Sequence, residues 1–483
     1  MGQWKNIYPG SLNEYKGSNV FMVRDDAGRK LVIQGKGPVY EAFSGRETEY
    51  EGKAAKICEL SHENCVTLRR IFPYTAPVAV LEHDRSIGLG DRLGLATPGH
   101  IRLVKKYGIM PVLAQQSIRE LNLTGRTYGD VLDDVSWAVY QEGYRGGFGA
   151  DGDHLKKHEE VEMALECGFT MITLDCSEHI DNSITNLPDT EVDRLYKSID
   201  ATLYEKKYLN REFALENGII VKFEHLELKR IVLTYGKAVS FAEDIYRKHI
   251  NKCEGQVNFE ISIDETLTPT SPQAHFFVAS ELADADIKAS TIAPRFYGEF
   301  QKGIDYIGDK GRFEEEFKVH AAIARHFGYK ISIHSGSDKF SVFPVIGRET
   351  KGRFHVKTAG TNWLEAVRVI ALKDPGLYRE IHKYALSVLD EAKKYYHISA
   401  DTKRIPGIDS MQDEELPALM DMDDARQVIH ITYGLILKAK SEDGLYAFRN
   451  RIYRLLNTYE EDYYSALYRH IERHMDSLGG CVV

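Results

Sequence analysis

Three residues stand out in this chain as able, by type, to handle protons and a cation: the adjacent pair Asp153-His154, and His334. A neutral imidazole binds a divalent metal, and a carboxylate beside it can move a proton. The metal acidifies a substrate oxygen or a bound water. His334 lies in KISIHSGSDKF (330–340), where Ile331 and Ile333 alternate with Ser332 and His334. Strand side chains alternate faces, so His334 shares a face with Ser332 and is followed by the small loop Ser335-Gly336-Ser337. The same parity in VNFEISIDE (257–265) sets Asn258, Glu260, Ser262 and Asp264 opposite Val257, Phe259, Ile261 and Ile263. In RFHVK, His355 and Lys357 face away from Phe354 and Val356. Burying such polar faces is costly unless they bind something. Plainer readings exist: a hydrogen-bonded core histidine for His334, an ion network joining Glu260 to Lys357, and a helix cap for Asp153. His275 follows Ser271-Pro272, an N-cap and N1 pair, so it falls in a first helical turn. It shares a stripe with Val278, Ala279 and Leu282 that should face a barrel. That makes it a further candidate ligand, against the alternative of a core histidine. His158, His179, His320 and His326 fall on helices or loops and are read as structural.

The elements needed to gather these residues are repeated β-α units. From about residue 76 the texture turns to apolar runs, each followed by an amphipathic helix. PVAVLEH (77–83) opens the series, followed by IMPVLAQQS, MITLDC, VNFEISIDE, IKASTIAPRF, KISIH and RFHVKTAG. Such repeats predict a parallel sheet, and their number allows closure into a (β/α)8 TIM-type barrel of the α/β class. Residues 1–75 read as an N-terminal elaboration, 76–365 as the barrel and 366–483 as a helical C-terminal extension. The glycines Gly88, Gly90, Gly94 and Gly99 mark tight loops, and their spacing is not a dinucleotide fingerprint.

Composition narrows the function. The chain has 483 residues, is 43% hydrophobic and carries a formal net charge of -10, which argues against nucleic acid as a partner. Its six cysteines, including Cys481, are thinly spread without a C-x-x-C pair and suit reduced thiols. There is no apolar signal core at the N-terminus and no apolar run near the ~18 residues that cross a bilayer. The expectation is a cytoplasmic enzyme with no membrane partner, acting on a small molecule, with a homo-oligomer left open.

Several motifs are familiar as a set: GLGDRLGLATPGH, GFGADGDHLK, FEISIDETLTPTSPQAHFF, IAPRFYGEFQKGIDYIGD and HSGSDKFSVFPVIGR. Together they span most of residues 85–365 and resemble the tagaturonate/fructuronate epimerase family. Asp153-His154, Glu260 and the IHSGS loop also resemble the rim of class II, metal-dependent aldolases. The departure from the aldolases is at IKASTIAPRFYG, which has Arg295 near the position where they carry a histidine. The resemblance implies an isomerase of hexuronate catabolism that interconverts D-tagaturonate and D-fructuronate with a divalent cation (Zn, Mn, Ni or Co). An aldolase acting on a keto sugar acid is the alternative, and a non-catalytic sugar-acid sensor a further one.

The implied reaction inverts a carbon β to a ketone, whose hydrogen the carbonyl does not acidify. Cleaving the Cα–Cβ bond and closing it again on the other aldehyde face inverts that centre, provided both fragments are held. On this reading His154, His275 and His334 hold the cation, with His355 in reserve. Asp153 is the base and Glu260 the acid across the lumen, with Glu265 as the alternative acid. Ser335, Gly336, Ser337, Lys357 and Arg295 are expected to contact the substrate.

Overall fold

Apolar-polar alternation over short runs, each followed by a helix, leaves a parallel sheet one way to bury its apolar face and still pair every edge. It closes on itself. The computed structural model describes residues 6–25, 28–50 and 52–479. The barrel strands are β1 (Arg85–Leu89), β2 (Met110–Ser117), β3 (Gly149–Leu155), β4 (Met171–Asp175), β5 (Asn258–Ile263), β6 (Thr291–Pro294), β7 (Lys330–Ile333) and β8 (Phe354–Thr358). Neighbours in this order pair in parallel, and β8 closes onto β1.

The outward faces carry Ile87, Leu89, Ile172, Leu174, Phe259, Ile261, Ile331 and Ile333, all buried beneath the helices. Each such side chain contributes about 2 kcal/mol by leaving water. A second core lies mostly in the C-terminal helices, around Trp363, Ile370, Tyr378, Ile381, Val428 and Tyr433, and takes in Leu93 and Ala96 from the loop after β1. The C-terminal mouth of the barrel opens between the two.

The run PVAVLEH does not form a strand, and β1 begins at Arg85. Its backbone instead crosses the opposite end of the barrel, where Asn258 Oδ1 accepts the N–H groups of Val80 and Leu81 at 2.9 and 3.0 Å. Val80 and Leu81 pack there on Val112 and Met171 and plug that mouth. An apolar run of seven residues cannot by composition alone be told from such a plug.

Ahead of the barrel, a five-stranded antiparallel sheet packs on the helix Tyr128–Gln141 through Trp137 and Tyr140. Between β4 and β5 the chain makes a long excursion that includes the helix His225–Ile245. Cys58, Cys65, Cys167, Cys176 and Cys253 are free thiols, and Cys481 lies outside the described residues. Among the described residues no helix is long and apolar enough to cross a membrane.

Candidate active site

The lumen is filled by polar side chains in layers, and their depth decides what each can do. Deepest are Ser86, Lys330 and His355. Lys330 Nζ donates to the His83 carbonyl at 2.7 Å and to Ser86 Oγ at 2.8 Å, and His355 Nδ1 lies 3.0 Å from that hydroxyl. Burial pushes His355 down to about 3 and Lys330 down to about 7, so neither welcomes charge.

Above them Lys357 is a hub. Its ammonium lies 2.8 Å from each of Asp151 Oδ2, Asp153 Oδ1 and Glu260 Oε1. Three carboxylates around one cation cannot all stay ionised at low cost. Burial, reinforced by Asp153 and Glu260, pushes Asp151 up to about 7 despite Lys357. Burial also opposes the charge on Asp153, but Lys357, His154 and His334 outweigh it and hold that carboxyl well below its ordinary range. Asp153 is therefore a standing base, and Asp151 absorbs the excess charge beneath it.

The top layer faces a chamber of about 400 Å³ at the C-terminal mouth, where barrel enzymes keep their chemistry. His154 and His334 meet here with ring centroids 4.8 Å apart. His154 has φ of 55° and the neighbouring Ser335 has φ of 50°, a left-handed conformation costing non-glycine residues about 1 kcal/mol or more. The register of β3 against β4 shifts between Gly152 and Leu155, as the chain turns the His154 ring to the chamber. His334 Nε2 is 2.6 Å from Glu260 Oε1.

The donor set suits a divalent cation. The Nδ1 atoms of His154 and His334 are both buried and have no hydrogen-bond partner among the described residues. Asp175 Oδ2 lies 3.4 Å from the first and Asp264 Oδ2 3.2 Å from the second. His154, Asp175 and Glu265 each place a donor atom within 4.8 Å of the others. Burial disfavours protonated His334, yet Asp264 and Glu260 push it up to about 10. A field that holds a proton so firmly on an imidazole will also favour a dication in its place.

Of the residues expected from sequence, Asp153, His154, His334, Ser335, Ser337, Lys357 and Arg295 line this chamber. Glu260, Gly336 and His275 do not. Glu260 sits beneath His334 rather than across the lumen, fully buried. Its Oε1 is taken by His334 and Lys357, and its Oε2 by the Thr291 hydroxyl at 2.5 Å. Gly336 serves the backbone: its N–H donates to the Lys357 carbonyl at 3.0 Å, and a Cβ there would lie 2.6 Å from Val356.

His275 is not brought to His154 and His334. Ser271 caps its helix as expected, but the ring is buried between helix and barrel, with Nδ1 2.9 Å from His320 and Nε2 2.7 Å from the Tyr329 hydroxyl. The inner stripe of a barrel helix meets the outer face of the strands, and the wall stands between it and the lumen. His355, the reserve, does face the lumen but lies a layer too deep.

Sequence reasoning missed Arg92, Glu120, Lys302, Tyr396 and His430, all of which line the chamber. Arg92 and Lys302 follow β1 and β6, and that loop position was the available signal. His430, from the helix Asp423–Ile431, fits because residue 360 is glycine: a Cβ there would lie 1.5 Å from Nε2. No local spacing announces such a contact.

A second histidine-carboxylate group, Asp338, His470 and His474, lies four residues beyond His334 and away from the chamber. Asp338 pairs with His470 Nε2 through one oxygen and with Arg426 Nη2 at 2.7 Å through the other. His474 Nε2 accepts the Asp338 N–H at 2.9 Å, and its Nδ1 donates to the His470 carbonyl at 3.0 Å. Every one of these atoms is engaged, so the group acts as a staple holding the last helix, Glu460–Ser477, to the β7 loop.

Comparisons with known proteins agree with this geometry over nearly the whole chain. The sequence model of a family described as tagaturonate epimerase matches residues 8–478. A tagaturonate/fructuronate epimerase of Thermotoga maritima is 42% identical, over 99% of this chain and 98% of its own length. The native crystal structure of a fructuronate-tagaturonate epimerase from Cohnella laeviribosi is 52% identical. It superposes with a TM-score of 0.96, covering 99% of this chain and 97% of its own. A glycerol complex of that enzyme gives 0.95 at 53% identity, covering 98% and 96%. The chain belongs to the tagaturonate epimerase family.

Proposed function

We propose that this chain interconverts D-tagaturonate and D-fructuronate by breaking and re-forming the bond between the carbons α and β to the ketone. The observation that carries the reading is Asp153, held ionised by Lys357, beside two imidazoles whose buried Nδ1 atoms have no hydrogen-bond partner among the described residues. Full-length membership of the epimerase family supports the choice of substrate.

Asp153 takes the proton of the β-hydroxyl. The Cα–Cβ electron pair passes to the ketone side as an enediolate, and the β-carbon becomes an aldehyde. The aldehyde turns its other face, the enediolate carbon attacks it, and the new alkoxide takes a proton, so no atom is gained or lost. His154 and His334, with Asp264 or Asp175 in place of the expected His275, would hold a divalent cation. Bound there, the cation supplies the positive charge that an enediolate needs.

Glu260 acts as a positioning residue that orients His334 and Lys357. Glu265 takes the acid role: its side chain lines the chamber about half exposed, and its ion-pair partner Lys156 is 3.8 Å away. It lies two strands round the rim from Asp153, so the returning alkoxide meets a proton on a different wall. Tyr396, in the loop after the helix Leu389–Ala392, and His430, on the helix Asp423–Ile431, help close the chamber over both fragments.

The test is to incubate metal-loaded Asp153→Asn and Glu265→Gln with tagaturonate and follow fructuronate by NMR. Each is expected to turn over at least ~10²-fold more slowly with unchanged metal content. Near-normal turnover in either removes its assigned role. Release of free three-carbon fragments in place of fructuronate would mark an aldolase.

A further inference from the structure

The chamber lining carries charge of both signs. Asp153, Asp264 and Glu265 lie with His154 and His334, while Arg92, Lys302 and Arg119 add cations, with Glu120 as the carboxylate among them; Lys302 reaches Ser335, next to His334. Arg92 is built into place. Asp91, its neighbour, accepts the backbone N–H groups of Leu93, Gly94 and Ala96 and fixes the loop after β1. Its guanidinium lies 4.0 Å over the Tyr433 ring, and Nε and Nη2 donate to Glu120 Oε1 at 3.3 and 3.0 Å. The Nη1 group remains. It is buried, has no hydrogen-bond partner among the described residues, and belongs to a side chain only 3% exposed.

Leaving a buried guanidinium nitrogen unsatisfied is expensive, and the expense ends when an anion arrives. Lys302 has the same character. Its ammonium donates to Ser335 Oγ at 2.9 Å and makes no ion pair among the described residues. Burial, with Arg92 and Arg119 nearby, pulls it below the usual lysine range. Of the cations expected from sequence to meet the substrate, Lys357 is committed to three carboxylates, while Arg295 gives Nη1 to the Thr266 carbonyl and also lines the chamber.

We propose that Arg92 and Lys302 form the carboxylate pocket of this enzyme and the pivot on which the aldehyde fragment turns. The inference rests on the epimerase reading above and deepens it. In a keto-hexuronate the carboxylate ends the half that becomes the aldehyde. Asp264 and Glu265 repel that carboxylate while Arg92 and Lys302 attract it, which orients the substrate in the chamber. Once the bond is cut, the anchored carboxylate keeps the fragment in place while rotation about the neighbouring carbon–carbon bond exchanges the aldehyde faces. Retention of this kind separates an epimerase from an aldolase.

The experiment compares metal-loaded wild type and Lys302→Gln, a substitution that leaves the Arg92–Glu120 pair intact. The ligands are tagaturonate and tagatose, which differ by a carboxylate against a hydroxymethyl group. Ligand-observed NMR gives binding, and product analysis gives turnover. The variant is expected to bind tagaturonate at least ~10-fold more weakly, to bind tagatose as wild type does, and to leak free three-carbon acid during turnover. Unchanged tagaturonate binding overturns the proposal, and so does an equal loss for both ligands, which would mean a structural role. If Lys302→Gln does not fold, Arg92→Lys decides by the same comparison. A wild type that prefers tagaturonate yet never forms fructuronate would contradict the epimerase reading and leave the carboxylate pocket standing.

Discussion

Two histidine-carboxylate groups sit at opposite ends of one short loop, and they do opposite things. At its start His334 meets His154, Asp175, Asp264 and Glu265 around an open chamber. At its end Asp338 meets His470, His474 and Arg426 in a closed staple. Residue types are similar, but the staple is buried throughout while His154 is half-buried and Glu265 exposed. The difference lies in what is left over: in the chamber two buried Nδ1 atoms face carboxylates without a hydrogen-bond partner among the described residues, whereas the staple uses every donor and acceptor described above. A guanidinium already occupies the place a cation would take beside Asp338.

The comparison breaks most visibly at His334. His334→Ala is expected to lose bound divalent metal and to cut turnover by ~10³-fold, with a fall in melting temperature as Glu260 and Asp264 lose their imidazole partner. Metal analysis beside an activity assay checks this, and full metal retention would contradict it. Asp338→Asn should lose stability and spare the metal. It leaves Arg426 and His470 buried without their carboxylate and costs about 3 to 5 kcal/mol in urea unfolding, with metal content per folded molecule unchanged. A variant as stable as wild type would mean the staple carries no load.

The pH dependence of stability sharpens the same point. Burial works against protonated His470, but Asp338 and Glu365 push it up to about 9. A group raised in the folded state stabilises fully below its unfolded value near 6.5, and that contribution is lost as pH rises toward 9. The loss amounts to at most about 3 kcal/mol. Urea midpoints between pH 6.5 and 9.5 should therefore fall in wild type, and fall less in Asp338→Asn. The smallest effect is expected at Glu260→Gln, which keeps the shape and reduces the charge that orients His334 and Lys357. Turnover should drop by about 10-fold with KM little changed, far less than for Asp153→Asn.

Much of this could be read in the sequence, because strand parity is local. Ser332 and His334, like Asn258, Glu260 and Ser262, do face the lumen, and β-α repetition implied the closed barrel. Parity reports the face of a strand and says nothing of depth. Glu260 was assigned the right face and the wrong layer for an acid, and His355 lies deeper still. Helix phase was weaker evidence, since a barrel wall separates the helix stripe from the lumen; His275 shows this. Least legible was the roof. Gly360 and His430 are 70 positions apart in sequence, and their contact follows from how the C-terminal helices pack, which no nearby spacing encodes. Arg92 and Lys302 were legible only as loop residues after strands. The proposal for them rests on an Arg92 nitrogen without a hydrogen-bond partner and a Lys302 without an ion pair among the described residues.

The central claim is that the His154–His334 chamber performs cation-dependent epimerisation of a keto-hexuronate. The most direct measurement follows tagaturonate by NMR with purified protein as prepared, after exhaustive treatment with EDTA, and after a divalent cation is restored. The account predicts that fructuronate forms with the metal-loaded protein, stops forming on chelation and resumes on restoration. Fructuronate produced at an undiminished rate by metal-free protein would contradict it.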